Sequence, residues 1–132
     1  MKKRTLQPAG WPRPKGYANG MTASGRLVVT AGVVGWDTEG RFTADLASQC
    51  AQTFANIVAI LAEGGATPAD VVRMTWFITS RADYIAQSKA IGQAYRKWFG
   101  THYPTMSVVE VSALMESAAM VEIEATAVVS EG

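Results

Sequence analysis

Hydrophobic positions along the chain follow two periods, and the elements can be read from the places where one gives way to the other. Leu46, Cys50, Phe54, Ile57 and Leu61 recur at steps of four and three. That spacing puts them on one face of a helix, which Gly64-Gly65 stops. Thr67-Pro68-Ala69-Asp70 predicts a short helical turn, with a cap at Thr67 and proline in the first position. From Val71 to Thr79 the period drops to two. Val72, Met74, Trp76 and Ile78 share one face; Arg73, Thr75, Phe77 and Thr79 share the other. Ser80-Arg81-Ala82-Asp83 has the form of a capping box, with Asp in place of Glu, and opens a second helix. Its stripe is Tyr84, Ser88, Ile91, Tyr95 and Trp98, and Gly100 ends it. Upstream, the β-branched run Leu27 to Val34 predicts one buried strand, closed by a turn over Gly35 to Gly40. Met106 to Val111 and Val121 to Val129 predict two more strands, joined by a helix-like or irregular Ser112 to Ala119. Prolines and glycines between Pro8 and Gly20 predict an irregular N-terminal arm, covering residues 1–16 of a single domain over 1–132. Helices separated by strands predict an α+β fold: a mixed sheet with both helices on one face.

Composition narrows the function classes. Hydrophobic residues make up 48% of the 132 positions, charged ones 17%, and the net charge is +1. This is the balance of a packed domain, and it offers no global attraction to nucleic acid or an acidic membrane. No run of residues is long and apolar enough for a membrane span, and none follows the basic start as a signal peptide requires. The single cysteine, Cys50, can form no intrachain disulfide and sits on an apolar helix stripe, so it reads as core in a reducing, cytoplasmic compartment. Low charge beside high apolar content leaves surface that another copy could cover. With one histidine and one cysteine an ordinary zinc site is not expected, and Ser107 has no evident base partner. His102, in a loop beside Tyr103, reads as solvated.

Candidate chemistry concentrates in the last strand. Val121, Ile123, Ala125, Ala127 and Val129 form one face; Glu122, Glu124, Thr126 and Val128 form the other. Two readings fit the glutamates: a solvated face, or a carboxylate held in a cleft for acid–base work. Trp36, in a turn, fits either an oligomer contact or a pocket wall.

Several segments fall together in an order that resembles the Rid (YjgF) family of reactive-intermediate deaminases. They are Tyr17 after a Pro/Gly arm, Thr30-Ala31-Gly32, Asp70-Val71-Val72, Tyr95 with Trp98-Phe99, Pro104 ahead of Ser107-Val108-Val109-Glu110-Val111, and Val121-Glu122-Ile123-Glu124-Ala125. The resemblance covers nearly the whole chain from Tyr17 onward. It implies a chorismate-mutase-like fold, a homotrimer with a small-molecule metabolite bound in clefts between subunits, and hydrolysis of enamines or imines with no cofactor. It also implies that Tyr17 and Gly32 line the cleft and that Glu122 positions water. Where the family's carboxylate-binding arginine is expected, this chain has Met106. Where a cysteine is frequent it has Val108, and Gly92 stands at a helix position where many members carry asparagine. Met106 and Val108 share a side of their strand, with Trp36 as a further candidate wall. Methionine offers no donor to a carboxylate, so the expected substrate is an enamine-like or ring-cleavage-type metabolite rather than a small 2-imino acid. Arg41 and Arg73 are candidates for a replacement cation, each also readable as a surface ion pair. A non-catalytic metabolite-binding or regulatory trimer is the alternative. An endoribonuclease ranks below it, since no aromatic and basic groove is visible.

Overall fold

A computed structural model describes residues 3–131. The two longest runs of apolar periodicity become the layers of the core. Helix α1 (Leu46–Glu63) buries the predicted stripe: Leu46 is 2% exposed, and Cys50, Phe54, Ile57 and Leu61 are fully covered. Asp45 caps it by accepting from the Ser48 N–H. A short 3₁₀ turn at Pro68–Asp70 carries the complete capping box, with the Asp70 carboxylate returning to the Thr67 N–H. Burial pushes the Asp70 carboxyl up, but the Thr67 donors and Lys3 outweigh it, and the net shift is downward.

The strands are β1 (Arg4–Leu6), β2 (Gly20–Thr22), β3 (Arg26–Val29), β4 (Val33–Val34), β5 (Val71–Ile78), β6 (Thr105–Glu110) and β7 (Val121–Val129). The main sheet runs β3-β7-β5-β6, with β4 continuing along β7 beside β3. The β5–β6 pair is parallel and the pairs on β7 are antiparallel, so the sheet is mixed as predicted. Parallel neighbours need a crossover, here made by α2 (Arg81–Ala86) and α3 (Ser88–Phe99). Helix residues pack with Met74, Trp76, Ile78, Val121, Ile123, Ala125 and Ala127 in one core, and the opposite face of the sheet is left open.

Four expectations are corrected. The run Leu27 to Val34 is two strands, because Thr30 interrupts the ladder: its hydroxyl accepts from the Ala125 N–H at 3.0 Å and donates to the Ala31 carbonyl. Val29 opposes Thr126 and Val33 opposes Ile123, so four steps on one strand match three on β7. This one-residue bulge moves Val33 to the buried face and leaves Leu27 and Val29 exposed. A second irregularity between Val71 and Arg73 puts Val71, not Val72, in the core. The single predicted second helix is two: α2 ends at Gln87, whose side-chain carbonyl accepts from the Ala47 N–H, and α3 buries Ile91, Tyr95 and Phe99, with Trp98 only half-buried. The N-terminal arm is not wholly irregular, since β1 pairs with β2 in a separate two-stranded sheet. Between Glu110 and Val121 the chain is irregular, the second of the two readings left open for that stretch.

Candidate functional site

The arm reaches the sheet edge through backbone bonds. The Ala18 N–H donates to the Pro104 carbonyl at 3.0 Å and Ala18 bridges Thr105, whose hydroxyl ties β6 to β5 by donating to the Val72 carbonyl. The loop behind Tyr17 is held by Gln7, whose amide donates to the Trp11 and Pro12 carbonyls and accepts from Asn19. Tyr17 and Met106 therefore line one cavity of about 270 Å³, lying between the arm, β6 and the α2–α3 pair. Register with Met74 puts Met106 on the helix-covered face of the sheet. Tyr84, Ile91, Tyr95 and Tyr103 form its walls. Burial pushes the phenols of Tyr84 and Tyr95 up, so both are neutral at physiological pH. The Tyr95 hydroxyl is committed to the His102 carbonyl at 2.6 Å, and its ring stacks between Tyr103 and Phe99. His102 is not a solvated loop residue: its Nε2 lies 2.7 Å from the Val71 carbonyl, tying the loop to β5. Trp76 also lines the cavity, and its buried indole N–H has no acceptor among the described residues.

Glu122 and Gly32 meet on the opposite face. A Cβ built on Gly32 would stand 2.2 Å from Glu122 Oε2, so only glycine leaves room for that carboxylate. In the ladder Glu122 lies between Phe77 and Val34. It borders a second cavity, of about 260 Å³, together with Phe77, Val111, Leu114 and Met115. Glu124 is one pleat along the same face, exposed and opposite Thr75. The predicted site residues thus divide into two groups, Tyr17 with Met106 and Gly32 with Glu122, with the sheet between them.

The other candidates lie elsewhere. Trp36 packs on Phe42 across the Asp37–Arg41 turn and lines neither cavity, nor does Val108. Arg41 is held in that turn by Asp37 and Glu39, the ion-pair reading of it. Backbone N–H groups of Arg41 and Glu39, more than the Arg41 charge, hold the Asp37 carboxyl below its usual range. Arg73 is exposed on the open face. The cations at the Met106 cavity are instead Lys15, read from the sequence as part of a solvated basic tail, and Arg96, which the sequence reading passed over. Arg96 sits one position from the buried stripe of α3, next to Tyr95, and that adjacency was the available signal. Among the described residues no cluster of His, Cys, Asp and Glu could hold a metal ion, and no helix is long and apolar enough to cross a membrane. Burial, with Asp45 nearby, pushes the Cys50 thiol up to about 12, which leaves it inert.

Known proteins share this arrangement of elements. Residues 12–129 match the family described as Endoribonuclease L-PSP. A RutC family protein of Haemophilus influenzae is 32% identical over 105 residues, covering 79% of this chain and 80% of its own. The 2-iminobutanoate/2-iminopropanoate deaminase of Escherichia coli is 31% identical over 108 residues, with the same coverage. Among solved structures, the Rid family protein YyfB of Yersinia pestis superposes with a TM-score of 0.85 at 32% identity, over 98% of this chain and 100% of that one. Escherichia coli TdcF with bound serine gives 0.69 at 30% identity, over 96% and 99%. With a family match spanning nearly the whole chain and relatives of this likeness, the protein belongs to the Rid (YjgF, Endoribonuclease L-PSP) family.

Proposed function

We propose that this protein hydrolyses the C=N bond of an imine or its enamine tautomer, as a homotrimer whose clefts join the Tyr17–Met106 half of one copy to the Gly32–Glu122 half of the next. The observation that carries this reading is the division of the site by the sheet: a ligand in one chain's Met106 cavity is walled off from that chain's Glu122. The open sheet face supports assembly, since Leu27, Val29 and Val109 are 64%, 57% and 43% exposed there, which is apolar surface of the kind another copy covers. The deaminase name of the Escherichia coli relative supports the chemistry.

In the reaction, water adds to the imine carbon and gives a proton to Glu122. That proton passes to the nitrogen and gives a carbinolamine; Glu122 then takes the new hydroxyl's proton and passes it to the same nitrogen, so that the C–N bond breaks and a carbonyl compound and ammonia leave. Glu122 is suited to the proton transfer because its position is fixed by the ladder and by the close approach of Gly32. Met106 provides no donor for a carboxylate beside the reacting carbon, which points away from small 2-imino acids. RNA cleavage has the least support: the net charge is +1 and neither cavity is lined by histidine.

Two measurements test the proposal. Sedimentation is expected to give three times the 14.1 kDa chain mass; a stable monomer removes the shared cleft and the proposal with it. In the second, 2-aminoacrylate is generated from serine by a dehydratase, and an imine with no carboxylate beside the reacting carbon is generated from 2-phenylethylamine by a flavin amine oxidase. The larger imine is expected to be hydrolysed faster. Met106→Arg is expected to raise kcat/KM on 2-aminoacrylate about tenfold or more, the worth of a charge-assisted contact. Wild-type rates on 2-aminoacrylate equal to those of the Escherichia coli deaminase would sink the reading of Met106. A trimer that turns over neither imine yet binds a metabolite would favour the regulatory reading.

A further inference from the structure

We infer that the Met106 cavity takes an anionic, planar ligand whose charged group is held from helix α3 by Arg96, with Lys15 assisting. The inference rests on the reading of this cavity as half of the binding cleft, and it names the class of ligand. Three observations carry it.

The first is the place of the guanidinium. Arg96 lies over Gly92, its Nη1 3.4 Å from where a Cβ on Gly92 would stand. That distance is ordinary van der Waals contact, so the guanidinium rests on the helix at Gly92, and both residues line the cavity. One turn of helix separates them, so the geometry is local to α3.

The second is the charge balance. Lys15 and Arg96 are the ionised groups in the cavity wall, and among the described residues no carboxylate lines it. Arg96 makes no ion pair among the described residues, as is also true of Arg73, Arg81 and Lys97, but of these only Arg96 lines the cavity. Two cations facing a partly enclosed space without a counter-ion make an anion receptor, and the planar fork of arginine suits a carboxylate.

The third is the wall chemistry. Tyr84, Trp76, Ile91 and Met106 present rings and apolar surface, which suits a flat conjugated body. A cation on the helix wall, rather than on the strand at Met106, sets the anionic group across the cavity from β6. The cavity has a volume of about 270 Å³. Both facts describe a ligand longer than a three-carbon imino acid, with its charge several bonds from the reacting carbon.

The test uses benzoate and its neutral counterpart benzamide as probes, titrated calorimetrically against the full-length assembled protein. Wild type is expected to bind benzoate about tenfold or more tightly than benzamide. Arg96→Gln is expected to remove that preference without changing benzamide binding, and Arg96→Lys to restore part of it. Lys97→Gln, which removes the same charge from the next position of α3, is expected to leave it intact. Equal binding of the two probes by wild type, or an Arg96→Gln variant that keeps the preference, overturns the inference. Binding needs no turnover, so a preference seen without deaminase activity counts against the proposed reaction and not against this site. Deaminase activity without any charge preference does the reverse.

Discussion

Glu122→Gln is expected to lower kcat for imine hydrolysis by about 10²–10⁴-fold, the range for removing a general base, while leaving KM and assembly little changed. The amide keeps the volume of the carboxylate and its fit against Gly32, so the packing that fixes the side chain survives. What it loses is the ability to take a proton from water. Position is not in question, because the backbone of Glu122 is paired on both sides, to Phe77 on β5 and to Val34 on β4. Glu124→Gln is the control. Glu124 projects from the same face two residues on, opposite Thr75, and is exposed, so its rate should stay within about twofold and its stability within about 0.5 kcal/mol. An unchanged rate in Glu122→Gln, or an equal loss in Glu124→Gln, would assign the chemistry to another group.

The contrast between these two glutamates shows how much of the site was legible in the sequence. Strict alternation along Val121 to Val129 placed both on the face away from the helices, and that is where they are. Alternation is reliable there because β7 is central in the sheet and regular over its full length. The strand opposite was less legible. Nothing in the apolar run Leu27 to Val34 announces that Thr30 will insert its hydroxyl into the ladder, yet that bulge sets which valines are buried and brings the chain past Glu122 at Gly32. A polar side chain bonding to backbone is a tertiary event, and hydrophobic period does not record it. The same holds for Gln87, whose carbonyl reaches the start of α1 where the second helix breaks.

Arg96 was missed for a different reason. On a helix wheel it falls among exposed positions, and in this chain it is exposed. Its relevance comes from the arm, which crosses to Pro104 and encloses the space beside α3. Likewise, a resemblance read along one chain places Tyr17, Met106, Gly32 and Glu122 in one site, whereas a single copy separates them by the thickness of a sheet. The resemblance already implies a cleft between subunits, and that separation is what supports it in the structure.

The largest stability effect is expected at Gln49, a polar residue that the apolar stripe of α1 gave no cause to single out. Its side chain is fully covered. The amide donates to the carbonyls of Thr43 and Ala118, both at 2.9 Å, and the amide oxygen accepts from the Met120 N–H at 2.7 Å. These bonds fasten the irregular segment between Glu110 and Val121 to the start of α1. Gly35 allows the chain after β4 to approach the same turn, since a Cβ there would stand 2.4 Å from the Gln49 carbonyl. Gln49→Leu keeps the approximate volume but takes the partner from three groups in part-buried bonds, the carbonyls of the exposed residues Thr43 and Ala118 and the N–H of half-buried Met120. Each costs about 1–3 kcal/mol when left unpaired, so the expected loss is about 3 kcal/mol or more. For a domain of this size that corresponds to a fall in Tm of about 10 °C, measured at fixed protein concentration because assembly contributes to stability. Gln49→Glu should be at least as damaging, since it retains the acceptor for Met120 but brings a charge into the core and offers nothing to the two carbonyls. The released segment carries Leu114 and Met115, which border the cavity beside Glu122. Hydrogen exchange over 112–120 should therefore quicken before the rest of the sheet does. A Gln49→Leu protein that melts within about 2 °C of wild type would mean that water or a neighbouring copy takes over all three bonds.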